Sequence, residues 1–283
     1  MRIWPNCRPA EFPPDPAPPL PPHMRVLPHM RGGDMRNCLA TAFTWLRPEE
    51  LGKVALTCHA WRRLASRKEV WDSYNVFELY NPNVIDSRFW ILHAARYGLD
   101  PTGAPPLPSN RTLIPIVHAM SRHVEGGLGV TFLTMPKGLT LNKLMQFAQD
   151  HNVPIFHVWP RILEVFGDQA VTATHTVVIT NSVFQNSRSL SVAQQETLVR
   201  GIECEMPDVL SVATLAIATY ASSPEGVPPT RLYPDGHPNW TFTRCQEEIH
   251  WRLVVGGFAP SGLCVCSNNC DHGSIGVGGQ RKF

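Results

Sequence analysis

A short all-helical module followed by a mixed α/β domain, of the α+β or α/β type, is the fold this chain predicts. Three observations carry the prediction. Two short amphipathic segments bearing tryptophans stand between Leu46 and Trp71. Helix-like and strand-like segments alternate from about residue 126 onward. Three strand-like runs with turn residues between them, TFTRC, WRLVVGGF and GLCVCS, follow toward the end. The expected division is a Pro-rich disordered tail over 1–30, a helical module over 34–80, a helical linker with a Pro-rich break over 81–125, and a mixed α/β domain over 126–283.

Residues 1–30 centre on PPDPAPPLPP, a composition that favours polyproline II and forms no packed core. Two P-x-x-P frames occur there, but no Arg or Lys sits at the flanking position that SH3-type ligands need. A first apolar helix is expected over about Met35–Trp45. Pro48 then suits the first turn of a helix, where its missing N–H costs nothing. Glu49 and Glu50 place negative charge beside the positive end of the helix dipole. Leu51, Val54, Ala55 and Cys58 recur at i, i+3, i+4 and i+7, the spacing of one apolar face. Trp61, Leu64 and Ala65 repeat it on a second short helix, and Trp71 closes over both. Gly52 weakens the first helix by roughly 1 kcal/mol relative to alanine. Helices this short need packing, and a partner groove is one source of it.

In the next stretch, SRFWILHAARYG reads as a helix stopped by Gly98, and DPTGAPPLPSN breaks the chain again. A helix from Leu113 puts Leu113, Val117, Met120 and Val124 on one face. Val130–Thr134 is a short strand, Thr140–Asp150 a helix, and Pro160–Phe166 another. THTVVIT, residues 174–180, is rich in β-branched residues and reads as a buried strand. Ser191 and Gln194 form a capping box for the following helix. Val209–Tyr220 is long, apolar and alanine-bearing, hence helical. Trp90, Trp159, Trp240 and Trp251 are expected as core and rim packing of the larger domain.

Bulk properties exclude several functions. The 283-residue chain carries a net charge of +2, which implies no general attraction to nucleic acid or anionic membrane. Charged residues make up only 17%, which favours packed structure over global disorder. No run approaches the roughly 20 apolar residues of a membrane span, and prolines interrupt the N-terminus before a signal sequence develops. Eight cysteines form no recognisable framework, so free thiols in a reducing cytoplasm are expected.

Cys264, Cys266, Cys270 and His272 are the densest set of metal donors. Zinc needs four thiolate or imidazole donors in tetrahedral array, and structural sites usually pair them in two separated halves. That pairing is missing, so a strand end and polar turn is the favoured reading, with no metal and no cofactor expected. Thiol catalysis needs a stabilised thiolate. Cys204 lies between Glu203 and Glu205, which would raise its pKa. Cys245 follows Arg244 and lies near His250, a kinder setting. Cys270, Asp271 and His272 are adjacent, and consecutive residues rarely converge on one reacting atom. GSIGVGGQRKF resembles a phosphate loop only in its glycines, because no helix follows it, so it is expected as a flexible or hairpin tail.

The order Leu-x-Pro-x-x-Leu, then Cys-x-x-Trp, then Trp ten residues later resembles an F-box, the helical module that docks substrate receptors on the Skp adaptor of cullin-RING ubiquitin ligases. The positions carrying the resemblance are Leu46, Pro48, Leu51, Val54, Cys58, Trp61, Leu64 and Trp71. The resemblance implies that these residues bind the Skp adaptor, and that Leu51, Val54, Trp61 and Leu64 fill its groove. One departure stands at the start, where Asp34 and Met35 replace the family's Leu-Pro pair and Leu27-Pro28 is displaced upstream. The phrases GLTLNKLMQFA, VVITN, CEMP and VVGGFAPSGL are similar to a domain found beside F-box segments in amoeba-associated chlamydia-like bacteria. Together these resemblances imply a non-enzymatic adaptor in the cytoplasm, or in a host's cytoplasm if the protein is a secreted bacterial effector. It would link an unknown protein target to the ligase. The alternative is a cysteine-dependent hydrolase or transferase in the C-terminal domain, with the helical module used only for targeting.

Overall fold

The structure is a computed structural model that describes residues 46, 76–80, 82–223, 228, 230–233, 241–259 and 261–283. The Pro-rich tail, nearly all of the helical module and Trp240 lie outside these residues. The described elements run α1 (Val76–Tyr80), β1 (Asn83–Ile85), α2 (Ser87–Tyr97), α3 (Asn110–His123), β2 (Val130–Met135), α4 (Leu141–Asp150), β3 (Ile155–Val158), α5 (Pro160–Phe166) and β4 (His175–Thr180). They continue with α6 (Val192–Gly201), α7 (Val209–Ala221), β5 (Phe242–Glu248), β6 (Arg252–Ala259), β7 (Gly262–Ser267), β8 (Ile275–Gly276) and β9 (Gln280–Lys282).

The strands form two sheets. The first has the order β1-β2-β4-β9, parallel between β1 and β2 and antiparallel elsewhere. The second has the order β3-β7-β6-β5-β8, an antiparallel meander of β5, β6 and β7 flanked by parallel partners. Helix α7 packs against strands of both sheets and against α4. Every residue from Ser211 to Ala218 on it is buried, as an all-round apolar helix requires.

Alternation explains how one sheet serves two cores. Leu133, Met135, Val177 and Ile179 face α7 and join the main core with Leu253, Val255, Leu263 and Val265 of the second sheet. Val130, Phe132 and Val178 point the other way and pack with Leu113, Ile114, Val117 and Met120 of α3. Strands buried on both faces read as continuous apolar runs, which is why VTFLTM and HTVVIT are legible as strands.

The helix boundaries follow local chemistry. Asp86 accepts a hydrogen bond from Arg88 N at the start of α2, and Gly98 ends it at φ 58, a left-handed conformation that glycine adopts without a Cβ clash. Trp90 on this helix is fully buried and donates its indole N–H to Thr134 O at 2.8 Å. Thr140 caps α4, and Ser191 with Gln194 makes both halves of a capping box on α6. The stretch expected as a helical linker supplies α2 and α3, and also β1, whose Asn83, Val84 and Ile85 pair with Thr131, Phe132 and Leu133. Strands as short as β1, β3, β8 and β9 carry too few residues to show a period in the sequence.

The Gly-rich end is not the flexible or hairpin tail expected of it. Residues 275–280 are buried and cross from one sheet to the other, β8 adding to β5 and β9 to β4. The buried amides find hydroxyl acceptors: Val277 N–H on Ser187 Oγ (3.1 Å), Gly278 N–H on Thr243 Oγ1 (2.8 Å) and Gly279 N–H on Thr180 Oγ1 (3.1 Å). A Cβ on Gly278 would stand 2.6 Å from Thr180 Oγ1, and one on Gly279 2.6 Å from Phe184 Cζ. The glycines are there for close passage through an interior.

Candidate functional site

A cleft of about 280 Å³ opens where the two sheets meet the N-terminus of α7. Its apolar walls are Met135, Leu141, Phe166, Val171, Val209 and Leu210. The polar lining comes from separate elements: His175 from β4, Gln246 and Glu247 from β5, Lys282 from β9, and Asp208 and Ser211 from the start of α7.

Both carboxylates serve the helix end. Asp208 Oδ1 accepts from Ser211 N at 2.7 Å, and Glu247 Oε2 accepts from Val209 N at 3.0 Å. These bonds occupy amides that a helix N-terminus otherwise leaves without an intrahelical partner. Asp208 Oδ2 also receives Gln280 Nε2 at 3.1 Å and forms an ion pair with Lys282 Nζ at 3.1 Å. Ser211 is buried, and its hydroxyl stands beside the Asp208 carboxyl and helps to lower its pKa.

The two carboxyls are driven in opposite directions. Burial alone would raise Asp208, but the Lys282 ammonium and the Ser211 contacts outweigh it and hold the carboxyl below its ordinary value. Burial raises Glu247, and the neighbouring Asp208 charge adds to the rise, so that it titrates at about 7 despite the Val209 N–H bond and Lys282. Desolvation and a like charge act in the same sense on a carboxyl, which gives the shift its direction.

None of the site residues expected from the sequence lines this cleft. One signal of it exists there: in FTRCQEE, Cys245 and Glu247 alternate onto the same side of β5, and Cys245 is in the main core. A glutamate on the inward phase of a strand marks a buried charge. The convergence with Lys282 was not legible, because β9 is a three-residue strand.

The thiols depart from expectation in one case and follow it in another. Cys245 does not enjoy a kind setting beside Arg244, because strand alternation sends the two side chains to opposite faces. Its thiol is fully buried, and burial followed by the Glu247 and Asp208 charges pushes it well above its ordinary value. Cys204 is pushed up to about 12, by burial more than by Glu203 and Glu205. Arg244 is itself buried, donating to Gln195 Oε1 and Cys270 O at 3.0 Å each.

Among the described residues, no group of three or more His, Cys, Asp or Glu side chains could hold a metal ion. Cys264 and Cys266 share a face of β7, and the neighbouring thiol together with burial raises Cys264 above its ordinary value. Cys270 bonds to Asn269 and His272 to Ser274, both at the surface. Trp159 packs at the edge of the main core and Trp251 is half exposed.

Of the residues expected to bind the Skp adaptor, Leu46 alone is described; it is half-buried and packs against the core built on α3. Pro48, Leu51, Val54, Cys58, Trp61, Leu64 and Trp71 lie outside the described residues. The F-box-like family model matches residues 38–76, so the chain carries an F-box-like module that ends where α1 begins. No curated protein and no solved structure matches the chain. Among the described residues, no helix is long and apolar enough to cross a membrane.

Proposed function

We propose that this protein is a substrate-recruiting adaptor of a Skp–cullin–F-box ubiquitin ligase. The observation that carries the reading is the F-box-like module at 38–76, joined to a well-packed two-sheet domain. F-box-like modules generally bind the Skp adaptor and through it a cullin ligase. Leu51, Val54, Trp61 and Leu64 would fill the adaptor groove, while Leu46 already spends part of its surface on its own chain. The domain would hold a protein target and supply proximity rather than chemistry. The alternative, cysteine-dependent catalysis, is disfavoured at two of the thiols: Cys204 and Cys245 are buried and protonated at neutral pH. A role as a bacterial effector in a eukaryotic host rests on the resemblance of the C-terminal phrases alone.

The test is co-purification of the full chain with a Skp adaptor–cullin pair at physiological salt. The wild type is expected to retain the pair, and the Leu51→Ala, Trp61→Ala double variant to lose it while keeping its circular dichroism spectrum. Retention by the double variant, or none by the wild type, overturns the adaptor role.

A further inference from the structure

We propose that Cys264 and Cys266 form a two-thiolate site for a soft, thiophilic cation of low coordination number, of which copper(I) is the type. Strand β7 alternates its side chains, so Val265 enters the main core while Cys264 and Cys266 emerge together on the opposite face. Both are free and partly exposed, and both pack against an apolar floor of Phe242, Val254 and Ile275. Cys264 is not shielded from the β6 side, where its register partner Gly256 carries no side chain.

Spacing decides what the pair can hold. Two residues at roughly 3.3 Å rise set the Cβ atoms about 6.6 Å apart on one strand face. A disulfide needs Cβ atoms about 3.5–4.5 Å apart, so closing one would buckle β7. A bridging ion asks less. Two metal–sulfur bonds of about 2.3 Å span up to roughly 4.6 Å, which thiols leaning toward each other reach. The two thiols stand near enough for Cys266 to help raise Cys264 above its ordinary value. Ligand number then decides which ion. Thiolates select copper(I), zinc or iron–sulfur clusters, and zinc and the clusters take four protein donors. His157 is in register with Cys264 but exposed, and among the described residues no third His, Cys, Asp or Glu completes a metal-holding group. A soft monovalent ion is satisfied by two sulfurs. Each thiol releases its proton to solvent as its bond to the ion forms, so affinity rises with pH.

The experiment is anaerobic titration of the full, reduced chain with copper(I) buffered by bicinchoninate, followed by timed iodoacetamide labelling and mass spectrometry of the digest. Copper(I) is expected to slow alkylation of Cys264 and Cys266 at least tenfold and to leave Cys270 unchanged. Zinc(II) at the same concentration should leave all three rates as they are. Cys264→Ser should abolish the protection of Cys266, and Cys266→Ser that of Cys264, whereas Cys270→Ser should leave both protected. The comparison of the three thiols in the wild type keeps the question open to disproof even if a serine variant does not fold. No protection by copper(I), equal slowing at Cys270, equal protection by zinc(II), or protection that survives in either Cys264→Ser or Cys266→Ser overturns the proposal. The titration contains no Skp adaptor, so its outcome is independent of the co-purification result.

Discussion

Asp208 and Glu247 come from different elements yet cap the same helix end, one through Ser211 N–H and the other through Val209 N–H. Capping a buried helix terminus stabilises the fold. Burying Glu247, and setting it beside the first carboxyl, costs free energy, and its proton carries that cost as a pKa of about 7.

The sign of the resulting pH dependence is the reverse of the usual one for carboxylates. A folded pKa raised above the unfolded value means that the folded state holds more protons than the unfolded chain between about pH 4.5 and 7. Stability is therefore lost as pH rises through that window. The loss is at most about 3.5 kcal/mol, at roughly 1.4 kcal/mol per pH unit of difference. Urea denaturation at pH 5 and pH 8 should show a clear decline for the wild type and a much smaller one for Glu247→Gln. Identical declines would mean that Glu247 ionises normally.

Gly278 passes so close to Thr180 that no side chain fits. Gly278→Ala is expected to cost about 1–3 kcal/mol through overpacking. Gly201, at the end of α6, has open space where a Cβ would stand, with no atom within 4 Å, and Gly201→Ala should leave the melting temperature unchanged or slightly raised. Thermal melts of the two variants test whether the glycine-rich strand crossing is an interior element.

Arg244 is a buried cation tying β5 to α6 and to the loop that carries Cys270 and Asp271. Removing it strands Gln195 Oε1 in the interior and takes a donor from the Leu190 and Cys270 carbonyls. Arg244→Ala should cost about 3 kcal/mol or more. The exposed pair of Arg161 with Glu164 offers the contrast, and Arg161→Ala should stay within about 0.5 kcal/mol. Urea midpoints compare the two directly.

Thiol reactivity should follow exposure and thiolate content. Among the five cysteines in the described residues, Cys270 is exposed and should be alkylated first by iodoacetamide at neutral pH. Cys245, buried among carboxyls, should react only on unfolding. Mass spectrometry of timed digests gives the order. Rapid labelling of Cys245 in the native protein would revive a thiol-based activity.

Much of the fold was legible because its signals are local. The caps at Thr140 and Ser191, the stop at Gly98, and the apolar runs of β2 and β4 all lie within a turn or a strand of the residues they govern. The short strands were not legible. Phe156 of β3, 63% exposed, gives no inward phase, and the glycines of 276–279 gave no hint of burial because their reason lies in Thr180 and Phe184, remote in sequence.

By itself, the amino-acid order determined where helices and long strands form, and that residues 38–76 match the F-box-like family model. Those properties depend on periodicity and caps within a few residues. Only the tertiary structure decided that the glycine-rich segment joins two sheets, that Arg244 and Cys245 part to opposite faces, and that Asp208, Glu247 and Lys282 meet in one cleft. Such meetings depend on which strands become neighbours, and pairing between distant segments leaves no periodic trace in either one.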